Sequence, residues 1–196
     1  MGRWKLSLGA LIVVLIIVIS VISLNNKSAN KVPVNTNQTS STSTLDKYQI
    51  VDPNAAKFEG QENLTKYEGI AQKNSSSPTD QVNAAESAFV NKDYNKAVEY
   101  YKKAVVLQPK NVQYLTYLGN AYYRGLDNPQ EAIKYYQTAT QLNPRYANGW
   151  WNLALCEKDA LGNTDAAKET LKKGIASVDP KDPLLKTLQT ELDALK

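Results

Sequence analysis

An internal repeat of 35 residues limits the folds open to this 196-residue chain more than any other feature of its sequence. Two stretches, 97–109 and 132–144, share the pattern Ala-x3-Tyr-x2-Ala-x4-Pro without a gap. The matching residues are Ala97, Tyr101, Ala104 and Pro109 in one copy, and Ala132, Tyr136, Ala139 and Pro144 in the next. Periods of about 20–50 residues are typical of solenoids and other repeat architectures. The chain is therefore expected to stack similar units, each in contact mainly with its neighbours.

Each copy predicts two amphipathic helices, because its apolar residues lie three and four apart. A third copy begins at Ala147. Small residues mark the places where paired helices must approach closely, namely Ala85, Ala97, Gly119, Ala132, Ala154 and Ala167. Asn128 and Pro129 predict a helix start, with Asn128 as the cap and Pro129 at the first helical position.

These patterns resemble the tetratricopeptide repeat. The resemblance rests on the two Ala–Tyr–Ala–Pro blocks together with W-x2-L-A at 150–154 and L-G-x2-Y at 118–122, and it covers about residues 78–180. It implies an all-α solenoid of about three helix-turn-helix repeats, at 78–111, 112–146 and 147–181. Copies two and three depart from the first by one extra residue, which we place in the turn between their helices.

The C-terminal stretch 182–196 predicts a capping helix on the last repeat, since Leu185, Leu188, Leu192 and Leu195 share one face and the other face is polar. An amphipathic helix that binds a partner is the alternative for the same residues.

The stretch 6–24 predicts a single transmembrane helix behind a short tail, 1–5, because it contains 19 residues without a charge. Such a helix is about 28 Å long, close to the thickness of the hydrocarbon core. A cleaved signal peptide would have a shorter apolar region and a small-residue cleavage site, so an uncleaved signal-anchor is favoured. Arg3 and Lys5 favour a cytoplasmic N-terminus, although Lys27 and Lys31 nearly balance them.

Residues 25–79 predict a polar, largely disordered linker between this anchor and the repeats. Its first part, 25–44, contains 13 Ser, Thr or Asn and no aromatic residue, so it lacks the apolar area needed to offset ordering. The later part is ambiguous, since residues 53–73 have loosely helical apolar spacing interrupted by Gly60 and Gly69. A marginal helix and a continued tether are both open here.

The composition offers little for catalysis. The chain has no histidine and one cysteine, Cys156, which excludes a Cys–His nucleophile and favours a buried structural thiol. No metal-ligand cluster, phosphate loop or cofactor motif is present, so no enzyme, metal or cofactor is predicted. Residues 80–196 contain 15 basic and 14 acidic residues, so this part of the chain is nearly neutral. Nucleic acid is therefore not expected as a partner.

The resemblance implies that the first helices of the repeats line a concave, peptide-binding groove. Ten residues are candidates for that groove: Val82, Glu86, Phe89, Thr116, Asn120, Tyr123, Arg124, Trp151, Leu155 and Lys158. Phe89, Tyr123 and Trp151 have an equally good interpretation as packing between neighbouring repeats. A lysine-based clamp for chaperone C-terminal carboxylates is not expected, because Asn120 and Asn152 match its asparagines but Thr116 stands in place of a lysine.

Three hypotheses for function follow. The leading one is a membrane-anchored scaffold that binds a protein or peptide segment in its groove, within an envelope-associated assembly. In this hypothesis, residues 6–24 span the bilayer and the repeats lie outside the cytoplasm. In the second, the repeats face the cytosol as a docking receptor. In the third, the repeats self-associate into a homo-oligomer with a structural role.

Overall fold

The computed structural model describes residues 55–195, which form eight α-helices and no strand. In chain order they are α1 (Gln61–Lys73), α2 (Pro78–Val90), α3 (Tyr94–Leu107), α4 (Val112–Asn120), α5 (Pro129–Leu142), α6 (Ala147–Leu155), α7 (Thr164–Ser177) and α8 (Leu185–Asp193). The pairs α2–α3, α4–α5 and α6–α7 are the three predicted repeats, and each pair packs as an antiparallel hairpin. The expected all-α solenoid is thus confirmed.

Capping side chains set most of the helix starts. Each accepts a hydrogen bond from a backbone N–H of the first turn, which would otherwise have no partner. The caps are Ser77, Asp93, Asn111, Asn128 and Asn163. Asn128 caps α5 and Pro129 occupies its first turn, as the sequence predicts.

Small residues allow the paired helices to approach closely. A Cβ atom on Gly119 of α4 would lie 2.5 Å from Cε1 of Tyr136 on α5. Tyr136 is fully buried and its hydroxyl donates to Asn120 Oδ1 at 2.8 Å. Ala97 and Ala132, at the equivalent place on the second helices, are also fully buried. The Ala–Tyr–Ala pattern of the second repeat therefore places a buried tyrosine at the contact between α4 and α5.

The extra residue in the second and third repeats lies at the end of the first helix, not in the turn where we expected it. Both α4 and α6 continue into a five-residue π-helical segment, Ala121–Gly125 and Cys156–Ala160 respectively. Their i→i+5 bonds run from Leu126 N to Ala121 O and from Leu161 N to Cys156 O. A π-helical turn accommodates one residue more than an α-helical turn, so the helix absorbs the insertion.

The turn that follows keeps the same geometry in all three repeats. Lys92, Asp127 and Gly162 are spaced 35 residues apart and have positive φ angles of 62°, 49° and 62°. Glycine adopts this left-handed conformation without steric cost, whereas lysine and aspartate do not. The conserved shape of the turn is thus held by the packing of the helices on either side.

An additional helix, α1, covers the N-terminal end of the stack. The preceding residue Phe58 is 3% exposed, and its carbonyl accepts hydrogen bonds from Ser87 Oγ at 2.8 Å and Asn91 Nδ2 at 2.9 Å. Leu64 and Ala71 of α1 are buried in the same core as α2. The ambiguous part of the predicted linker 25–79 is therefore ordered from residue 55 onward, because its few apolar residues have partners on the first repeat.

At the other end, α8 packs on α7 through Leu188, which is fully buried. Among residues 55–195, every helix is too short or too polar to span a bilayer. The predicted tail and transmembrane helix, 1–24, and the first part of the linker lie outside the described residues.

Candidate functional site

The inner face predicted for the groove comprises the first helices of the repeats, α2, α4 and α6. The helices α4 and α6 touch each other directly, whereas their partners α5 and α7 share no comparable interface. The three parts of this face differ in how open they are.

In the first repeat, Val82, Glu86 and Phe89 are all half-buried on α2. Phe89 stands edge-on to Tyr94, with 5.3 Å between ring centroids. Tyr94 in turn lies against Gly125, where a Cβ atom would come within 2.7 Å of its ring. Phe89 thus helps to close the junction with the second repeat, while Val82 and Glu86 retain partial exposure.

Of the four groove candidates in the second repeat, only Asn120 and Arg124 remain half-exposed. Thr116 is 2% exposed, and its hydroxyl donates to Val112 O at 2.8 Å. Tyr123 is 7% exposed and belongs to the core cluster shared with the third repeat. Of the two interpretations open for Tyr123, the structure therefore favours packing between repeats.

In the third repeat, α8 covers the predicted groove residues. Trp151 is 8% and Leu155 is 3% exposed, and both belong to a cluster that includes Leu188. Lys158 Nζ lies 3.1 Å from Glu191 Oε2 of α8. The expectation that these three residues line an open groove is corrected here, since a helix more than 30 residues away in sequence packs over them.

Burial dominates the electrostatics of the inner face. It raises the pKa of Tyr123 to about 12, with a further contribution from the nearby Asp159 carboxylate. It also raises the pKa of the Cys156 thiol to about 12, so this thiol is protonated and unreactive at neutral pH. Burial raises the pKa of Glu157 as well, although a hydrogen bond from Thr170 Oγ1 at 2.7 Å opposes the shift.

Sequence reasoning missed two participants at this face. Glu191 belongs to the predicted capping helix, but no local pattern indicates that it pairs with Lys158. Tyr146 precedes α6, and a hydrogen bond with Thr116 lowers its pKa against the larger, opposite effect of burial. Within residues 55–195 no three His, Cys, Asp or Glu side chains are grouped closely enough to hold a metal ion.

This arrangement of stacked helix pairs with an inner face of first helices is the fold of tetratricopeptide-repeat proteins. A tetratricopeptide repeat model matches residues 123–192, and a TPR repeat model matches residues 89–124. The described part of the chain is thus a tetratricopeptide-repeat solenoid, a fold of protein-interaction scaffolds.

Proteins similar to this chain include the heat-shock protein cognate co-chaperone sgt12 of Aspergillus fumigatus, which is 32% identical over 89 residues. That match covers 45% of this chain and only 26% of the co-chaperone. The crystal structure of MamA superposes with a TM-score of 0.59 at 24% identity, covering 71% of this chain and 77% of MamA. The first TPR domain of Spaghetti (RPAP3), solved with the HSP90 peptide SRMEEVD, gives a TM-score of 0.51 at 20% identity, covering 60% and 89%.

Proposed function

We propose that this chain is a membrane-anchored scaffold whose repeats bind a segment of another protein along their inner face. The observation that carries this proposal is a set of half-exposed side chains on α2, on α4 and on the π-helical segment that follows α4, namely Val82, Glu86, Asn120 and Arg124. They combine an apolar contact, two opposite charges and an amide on rigid helices. Such a mixture on a preorganised surface suits recognition of an extended or helical peptide.

In this proposal the ligand is not the C-terminal tail of a chaperone. Thr116 is buried and hydrogen-bonded to its own helix, and the Asn120 side-chain oxygen accepts from Tyr136. Thr116 therefore supplies neither the positive charge of a lysine nor an available hydroxyl donor for a terminal carboxylate. The peptide bound in the Spaghetti (RPAP3) structure therefore supports peptide binding as a use of this fold, and not that particular ligand.

The proposal also includes a membrane anchor at the N-terminus and a location of the repeats outside the cytoplasm. The apolar stretch 6–24 supports insertion of the N-terminus into a bilayer, with the repeats outside the cytoplasm in an envelope-associated assembly. Protease added to intact cells would digest the repeats in this orientation and spare them if they face the cytosol. Self-association through the ends is less favoured, because α1 and α8 present mainly polar residues outward.

Position-specific photo-crosslinking tests the groove. A photoreactive amino acid would replace Val82 or Arg124 on the inner face, with Gln137, an exposed residue of α5, as the control position. The full-length chain would be irradiated in its native membrane and the products identified by mass spectrometry. We expect one protein to be crosslinked from both inner positions and not from Gln137. Crosslinks of equal yield from all three positions, or from Gln137 alone, would contradict groove binding.

A further inference from the structure

One edge of the repeat stack is formed by the connectors that join each helix pair to the next helix. These connectors are residues 108–111, 143–146 and 178–184, which follow the ends of α3, α5 and α7. Because each pair is an antiparallel hairpin, the connectors lie at the opposite end of the helices from the turns within the pairs. Arg145 of the second connector pairs with Asp179 of the third, so these two connectors are neighbours. We call this side of the molecule the connector edge.

Exposed apolar side chains are concentrated at the connector edge. Among residues 55–195, four large apolar side chains are exposed, namely Val106, Leu107, Leu142 and Leu161. The first three lie in the last turns of α3 and α5, next to the connectors, and Val106 is 79% exposed. Exposed apolar residues that are scattered singly are ordinary, but a group on one edge indicates a surface that contacts another molecule.

Cations surround these apolar side chains. Within α3, Lys102 and Lys103 precede Val106 by four and three residues, which places them next to it on the helix surface. Lys110 and Lys181 lie in the connectors, and neither forms an ion pair with another described residue. The edge therefore combines apolar and basic side chains.

The acidic side chains of the connector edge have partners of their own. Asp179 pairs with Arg145 and also accepts a hydrogen bond from Lys181 N at 2.9 Å. Asp182 accepts a hydrogen bond from Leu184 N at 2.8 Å. Their charges are thus partly compensated within the connectors, which leaves the lysines to determine how this edge interacts with a charged partner.

The opposite edge, formed by the turns within the helix pairs, has a different charge. Leu161, the fourth exposed apolar residue, lies there between Asp159 and Asp165. The turns of the first two repeats contribute Lys92 and Asp127. Exposed apolar groups are therefore accompanied by cations at the connector edge and by carboxylates at the opposite edge.

We propose that the connector edge lies against an anionic lipid surface, with Val106, Leu107 and Leu142 in the interface and the neighbouring cations at the lipid phosphates. This inference rests on the membrane anchor in the proposed function and adds how the repeats lie on the bilayer. Peripheral binding to membranes combines burial of apolar area with attraction of Lys and Arg to anionic lipids, and this edge offers both. The half-exposed groove residues are not part of it, so the docked chain can still bind a peptide.

The predicted anchor makes a weak attraction to lipid sufficient. Between the predicted membrane helix, 6–24, and the first described residue, 55, there are 30 residues. A coil of that length has an r.m.s. reach of about 30 Å. A tether of this kind keeps the repeats near the bilayer at an effective concentration in roughly the millimolar range. A lipid surface is therefore favoured over a second copy of the chain, which no tether holds against this edge.

Site-specific fluorescence in vesicles tests the proposal. The environment-sensitive dye NBD would be attached through Val106→Cys or Leu161→Cys in the full-length chain, with Cys156→Ala to leave a single thiol. The chain would be reconstituted in phosphatidylcholine vesicles with or without phosphatidylglycerol, with a nitroxide-labelled lipid as the quencher. We expect the lipid to quench the dye at 106 in the anionic vesicles and to leave the dye at 161, the matched control, unquenched. Equal quenching at the two positions would overturn the proposal.

Charge reversal tests the electrostatic part. Lys110→Glu should lower the ratio of docked to undocked label at position 106 at least about fivefold, which is the contribution of one lysine near an anionic surface. Lys66→Glu, at an exposed position of α1, is the matched control and should leave the ratio unchanged. High salt should release the docked label, because it screens the attraction. Unchanged docking in Lys110→Glu would refute binding through the connector edge.

Separate outcomes apply to the function on which this inference rests. Photo-crosslinks from Val82 and Arg124, with no lipid quenching at 106, would leave groove binding intact and the lipid docking wrong. Quenching at 106 at low salt, in a chain that high salt removes from the vesicles, would support lipid docking and make the predicted anchor wrong. A dye at 106 that is shielded from water without lipid quenching, and more so at higher protein density, would assign this edge to a second copy and overturn the proposal.

Discussion

The substitution Gly119→Ala tests the close contact on which each helix pair depends. The added Cβ atom would lie 2.5 Å from Cε1, 2.9 Å from Cδ1 and 3.0 Å from Cζ of Tyr136. Carbon atoms prefer a separation of about 3.5–4.0 Å, so the ring would have to move by about 1 Å. Tyr136 is fully buried, and its hydroxyl is held by Asn120. The ring therefore cannot retreat without disturbing its own surroundings.

The expected change in the free energy of unfolding combines two destabilising contributions and one stabilising contribution. Overpacking a core costs about 1–3 kcal/mol. Weakening the Tyr136–Asn120 hydrogen bond costs about 1 kcal/mol more, and the higher helix propensity of alanine returns about 1 kcal/mol. We expect a net loss of about 1–3 kcal/mol in the free energy of unfolding. For a domain of this size, each kcal/mol lowers the midpoint of thermal unfolding by about 3–5 °C.

The chain supplies a matched control in Gly69→Ala. Gly69 also lies within a helix, but a Cβ atom there would have no atom within 4 Å. This variant should therefore be more stable by up to about 1 kcal/mol, from helix propensity alone. Thermal unfolding of both variants would be followed by circular dichroism. If Gly119→Ala were as stable as Gly69→Ala, the close approach of α4 and α5 would not be the constraint we infer.

Three further outcomes are expected. Asp127→Gly should raise the free energy of unfolding by about 1 kcal/mol, because it relieves a left-handed φ of 49°. Gly162→Ala should lower the free energy of unfolding by about the same amount. Shifts of the unfolding midpoint with the same sign in the two variants would contradict this. Burial raises the pKa of Glu157 in the folded protein, so the protonated side chain favours folding. This contribution to the free energy of unfolding is fully present below the ordinary pKa of glutamate, and it is lost as the pH rises through the pKa of Glu157 in the folded protein. Glu157→Gln, which can still accept from Thr170, should therefore be the more stable protein at pH 7, with the difference vanishing near pH 4 in pH-dependent melts. Cys156, with a pKa raised to about 12, should react with iodoacetamide at pH 8 only after unfolding, and rapid alkylation of the native chain would show that the thiol is accessible.

The helices and their pairing were largely predictable because the signals are local. Capping residues, prolines and three-and-four spacing act within one or two turns of a helix, so they can be read from short stretches. The Ala-x3-Tyr-x2-Ala-x4-Pro block likewise recurs after 35 residues along the chain. The helix α1 was harder to predict, since Gly60 and Gly69 interrupt the helical spacing of its apolar residues. It is stabilised by Phe58, whose partners Ser87 and Asn91 lie 29 and 33 residues away.

The candidate site was predicted less well than the fold. The sequence predicted ten groove residues, of which Val82, Glu86, Asn120 and Arg124 remain half-exposed. It did not show which neighbouring residues would be covered, because exposure depends on the elements that pack on top.

The repeat period and helix spacing were enough to predict a three-unit helical solenoid, since this depends on contacts between near neighbours in the chain, and the family resemblance implied which helices form its inner face. Two features of that face depend on the folded structure. Tyr123 is buried in the core cluster that reaches the third repeat, and α8 covers Trp151 while Glu191 pairs with Lys158. Such contacts join residues that are distant in sequence, and no periodic pattern encodes them.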